Sequence, residues 1–142
     1  MGRAERWETL DLSGTERFEE ICDQVCEKRG WTRTAHQIDV PTSGDRHQTV
    51  YLSFFEFDER AMVRLHTVIG STARIRPERL IFALELNFSL PHGCLAVQKD
   101  SLVMVQTLVL GEADSIELES SVDFLAKTGD QYEASLFAQD EH

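Results

Sequence analysis

Residues 87–108 read NFSLPHGCLAVQKDSLVMVQTL. Pro91 and Gly93 end whatever precedes them, and two short apolar runs follow, CLAV and SLVMVQTLVL, with the polar turn QKDS between them. That is a β-hairpin, and it follows a segment of different period. RPERLIFALELNF opens with Pro77, which suits a first helical turn because its missing N–H would be unpaired there. Leu80, Ile81, Leu84 and Phe88 then recur as an apolar stripe. A helix that hands over to a hairpin points towards an α+β fold rather than a doubly wound parallel sheet.

Upstream, Ser13 with Glu16 three residues later forms a capping box. Phe18, Ile21, Cys22, Val25 and Cys26 follow at helical spacing, and Gly30 supplies the stop. WTRTAHQIDV then reads as a strand closed by the turn cluster PTSGDR. HQTVYLSFFEF reads as a second strand, DERA as a tight connection and MVRLHTVIG as the return. Downstream of the hairpin, Asp114 can cap a last helix with Glu117 answering. Its seam is Leu118, Val122, Leu125, Gly129, Tyr132 and Leu136, and Gly129 weakens its middle by about 1 kcal/mol relative to alanine. The expected order is α–β–β–β–α–β–β–α. This is a single domain over 1–142 with a twisted, largely antiparallel five-stranded sheet packed with helices, and with 1–12 and 138–142 loosely ordered.

Charge narrows the partners. Asp and Glu number 25 against 14 Lys and Arg, a formal net charge of −11. Such a chain repels phosphate backbones and anionic lipid, and its scattered cations form no basic patch, so neither nucleic acid nor membrane is an expected partner. No apolar run reaches the roughly 18 residues of a membrane span, and MGRAERWETL lacks the apolar region of a secretory signal. Three cysteines without an export signal read as thiols of a cytoplasmic protein.

Alternation along the strands exposes a surplus of apolar surface. Val50, Leu52 and Phe54 point one way, while Tyr51, Phe55 and Phe57 point the other; Leu102, Met104 and Leu108 likewise oppose Val103, Val105 and Val109. An antiparallel sheet with one wet face carries polar residues at every second position. Two apolar faces imply helices on both sides or a second chain over one of them.

Candidate chemistry is thin. His92 and Cys94 share a strand face by parity, but a catalytic thiol needs a lowered pKa and an orienting third group. Cys94 opens an apolar strand and fits a small hydrophobe. Cys22 and Cys26 share a helix face, yet no second Cys or His pair completes a four-ligand zinc set. VIGSTARI lacks the further glycines and the lysine of a phosphate loop. No catalytic residue, cofactor or metal is expected.

VYLSFFEFDERAMVRLHTVIG, then ALELNFSLPHGCLAVQKDSLVMVQTLVL, then an amphipathic C-terminal helix resemble the type III secretion chaperone-like superfamily, including the Tir-chaperone and YbjN-type bacterial domains. The likeness runs from about residue 13 to 136. It implies a homodimeric α+β protein that catalyses nothing and holds an extended segment of a partner protein. The surfaces it points to are Tyr51, Phe55, Phe57, Val103 and Val105 on the sheet, and Leu80, Leu84 and Phe88 on the second helix. Two other readings stay open: a YbjN-like regulatory domain without an unfolded client, and a small thiol enzyme using Cys94 and His92.

Overall fold

The structure, a computed structural model, describes the backbone of residues 3–137 and the side chains of residues 14–137. The expected loose tail at 138–142 and the first two residues lie outside that range. The elements in order are α1 (Arg3–Arg29), β1 (Thr32–Arg33), β2 (Gln37–Pro41), β3 (His47–Phe57), β4 (Arg60–Ser71), α2 (Pro77–Leu86), β5 (Cys94–Gln98), β6 (Ser101–Val109) and α3 (Ser115–Phe137). Short 3-10 turns, Thr72–Arg74 and Asn87–Ser89, flank α2.

The strands form one six-stranded sheet in the order β1-β2-β3-β4-β6-β5, antiparallel at every step. The α+β architecture expected from the sequence is the one observed, with one strand more than expected. WTRTAHQIDV divides because the Thr34 hydroxyl accepts from the His36 N–H and the Thr34 N–H donates to the Gln37 carbonyl, folding β1 back on β2. A second correction concerns α1. It begins at Arg3, and Ser13 is an interior residue rather than a cap. Trp7, Leu10, Gly14 and Phe18 are spaced at three and four residues, so the helical period continues upstream through the apparent box.

Other boundaries fall where their residues dictate. Gly30 adopts φ 71° just beyond α1, the left-handed conformation that glycine tolerates best. β3 and β4 are joined by Asp58 and Glu59 alone, both at positive φ, the geometry of a two-residue hairpin matched to strand twist. The Asp114 carboxylate accepts from the Glu117 N–H at 2.7 Å and starts α3 as expected.

One face of the sheet carries the core. Val50 and Leu52 of β3, Val63, Leu65 and Ile69 of β4, and Leu102, Met104 and Leu108 of β6 are buried there. Phe18, Cys22, Val25 and Cys26 of α1 join the same cluster, as do Leu118, Val122, Leu125 and Leu136 of α3. α3 lies across β3, β4 and β6, and α1 packs on α3. Arg29 locks the two helices by donating to Glu119 at 2.8 Å and Asp123 at 2.7 Å, which holds the Glu119 carboxyl below its usual range. From α2, Ala83 is buried in the cluster, and Leu80 and Leu86 pack against it.

Candidate partner-binding surface

The reverse face of the sheet is ordered by register. Tyr51, His66, Val105 and Cys94 form one row across four strands. Ser53, Arg64 and Thr107 form the next, and Phe55, Met62 and Val109 a third. Phe57, opposite Arg60, ends the face and is 69% exposed. Tyr51 stacks on His66 with ring centroids 5.1 Å apart, and the Arg64 guanidinium lies 4.2 Å over the Phe55 ring. Burial, with the Arg64 charge adding to it, lowers the His66 pKa. The imidazole is therefore held neutral, in keeping with an apolar surface.

Parity thus placed Tyr51, Phe55, Phe57 and Val105 together on the face opposite the core. Tyr51, Phe55 and Val105 are half-buried. Val103 faces the same way but is only 3% exposed, between Val68 of β4 and Ala96 of β5 in its row. Val103 is covered within the chain and offers a partner little surface.

α2 presents a second apolar surface. Leu84 is 58% exposed, with Ile81 and Phe82 also exposed, and Phe88, 98% exposed, lies not on the helix but in the 3-10 turn just beyond its end at Leu86. Leu80, grouped with them by spacing, instead packs inward. The helix therefore turns its smaller residue Ala83 to the core and most of its large apolar residues to solvent. Exposed apolar clusters of this kind mark interaction sites.

The residues weighed for chemistry are scattered. The His92 ring packs edge-on against Phe124 of α3, at 5.4 Å between centroids, while Cys94 is exposed in the row of Val105 on the reverse face. Cys22 and Cys26 are buried, and burial pushes the Cys22 thiol up to about 12, well away from a nucleophilic thiolate. Among the described residues no group of three His, Cys, Asp or Glu side chains could hold a metal ion. No described helix is long and apolar enough to cross a membrane.

A cleft of about 480 Å³ opens between β4 and the end of α3, lined by Arg46, His47, Gly70, Arg74, Asp130 and Phe137 among others. Two of its cations are engaged: Arg46 donates to Asp130 at 2.7 Å, and Arg74 lies 5.9 Å over the Phe137 ring. It exists because Gly70 at the β4 bulge lets Phe137 lie where a Cβ would collide with the ring. Sequence reading missed this cleft, since a glycine followed by two hydroxyl residues gives no hint of an aromatic ring arriving from the chain's end.

No protein-family model matches the sequence, and no curated protein matches it. Solved structures do match. A chain of the HopA1–SchA chaperone–effector complex superposes with a TM-score of 0.58 at 10% identity, covering 90% of this chain and 98% of that one. A chain of the complex of the Yersinia pestis type III secretion chaperone SycH with a stable fragment of YscM2 superposes with a TM-score of 0.52 at 15% identity, covering 84% of this chain and 98% of that one. The protein has a type III secretion chaperone-like fold.

Proposed function

We propose that this protein, built on the fold of type III secretion chaperones, is a non-catalytic cytoplasmic binding protein that dimerises and holds an extended segment of another protein. The observation that carries the reading is the reverse sheet face: apolar rows centred on Tyr51 and Phe55 and ending in the exposed Phe57, while the buried residues of the described helices join the core cluster on the other face. The two solved complexes hold chaperones bound to an effector or to a protein fragment, which supports a protein partner here.

The two apolar surfaces suit different occupants. Ile81 and Leu84 on α2 and Phe88 in the 3-10 turn that follows it stand three and four residues apart, the spacing that meshes with a like helix of a second copy. On the sheet, residues facing outward repeat every second position, the period of an extended chain laid along the strands. A regulatory domain whose apolar face serves its own dimer is the second reading; the neutral, half-buried His66 on that face fits it equally well. Co-purification followed by limited proteolysis separates the two: a client leaves a protected contiguous segment, whereas the regulatory reading leaves the dimer alone.

A further inference from the structure

The outer edge of β5 is the free side of the sheet's last strand. The Leu95 N–H donates to Asn87 Oδ1 at 2.6 Å, and the Leu95 carbonyl accepts from Asn87 Nδ2 at 3.1 Å. A strand residue sends its N–H and C=O to the same side. Leu95, partner of Met104, therefore points both groups away from β6, where an added strand would bind. The carboxamide of Asn87 has the donor and acceptor of a peptide group and fills the position of one. Val97, two residues on, turns its backbone the same way and is 55% exposed.

We propose that Asn87 is an edge guard: its side-chain amide occupies the pairing site of β5 and prevents edge-to-edge addition of β5 from a second copy. The occupant follows from the surroundings. β5 is antiparallel to its neighbour, and its outer groups are those of Leu95 and of the exposed Val97, so two such edges are complementary to each other. An exposed strand edge is a standing template for association, and natural sheets blunt it with local devices. The opposite edge is blunted differently, by the two-residue β1 and by Pro41, which has no N–H to offer. The inference is independent of any client.

Hydrogen exchange on the unaltered protein tests the guard without a variant. The Leu95 amide should exchange on the order of tenfold or more slowly than the Val97 amide. Equal rates, both fast or both slow, would overturn the proposal, the first because Asn87 does not hold the edge and the second because the edge is already paired. Variants then test the consequence. Asn87→Ala should give a mass that rises with concentration above that of wild type, and Asn87→Ala with Val97→Pro should return to the wild-type mass, since proline takes away the donor next to Leu95 on the outer edge and breaks the run an added strand would pair with. A folded Asn87→Ala with wild-type mass at every concentration, or a double variant that still associates, would defeat it.

Discussion

A Cβ on Gly129 of α3 would lie 2.7 Å from Cγ2 of Thr67 in β4. The threonine cannot swing aside, because its hydroxyl donates to the Thr49 carbonyl at 2.6 Å and accepts from Gln48 Nε2 at 2.8 Å. The glycine that weakens α3 as a helix is thus what lets α3 sit down on the sheet. Gly129→Ala should gain about 1 kcal/mol of helix propensity and lose about 1–3 kcal/mol to overpacking, for a net loss in urea unfolding. Adding Thr67→Ser, which deletes the obstructing methyl, should recover part of it. A more stable single variant would contradict this account of the helix–sheet contact.

The thiols should separate by reactivity and by pH. At about pH 8 a thiol reagent should modify Cys94 in the native protein and reach Cys22 and Cys26 only on unfolding. Burial raises the Cys22 pKa from 9.0 to about 12, so above pH 9 the unfolded chain loses this proton before the folded one does. The stability this thiol contributes is complete below pH 9 and falls as pH rises towards 12, by at most about 1.4 kcal/mol per pH unit. Cys22→Ala should flatten that alkaline slope. An unchanged slope would show that other groups produce it.

The α2 surface makes a prediction about assembly. Leu84 and Phe88 together should anchor a dimer, each large apolar side chain contributing about 1.5–3 kcal/mol when buried. Leu84→Glu with Phe88→Glu removes two such anchors from each protomer and should raise the dissociation constant at least about a thousandfold. Light scattering should then report a monomer with wild-type circular dichroism. A wild-type protein that is monomeric at high concentration, or a variant that stays dimeric, would move the contact elsewhere.

Much of the fold was legible because its signals are local. The Asp114 cap, the α3 seam and the face parity of β3 and β6 follow from spacing that needs no tertiary partner. What escaped depends on neighbours remote in sequence. The stripe on α2 was visible, but periodicity does not say whether a stripe meets its own core or another chain, and the buried Ala83 is too small to outweigh Leu84 and Phe88 on paper. Val103 reads like Val105 by alternation, yet it is buried where Val105 is half-exposed, and the two differ in their row neighbours, Val68 and Ala96 against His66 and Cys94, which alternation does not reveal. The division of β1 from β2 turned on one hydroxyl, that of Thr34. The role of Asn87 escaped the sequence, since its pairing with Leu95 forms only when the chain turns back through Gly93.

The most direct test of a client-binding sheet face compares tagged wild-type protein with a Phe55→Asp, Phe57→Asp variant in lysate of its own source. Wild type should retain one protein in stoichiometric amount, with a contiguous segment protected from protease. The variant, folded by circular dichroism, should lose it. Equal retention by both, or no partner with wild type, would contradict the assignment.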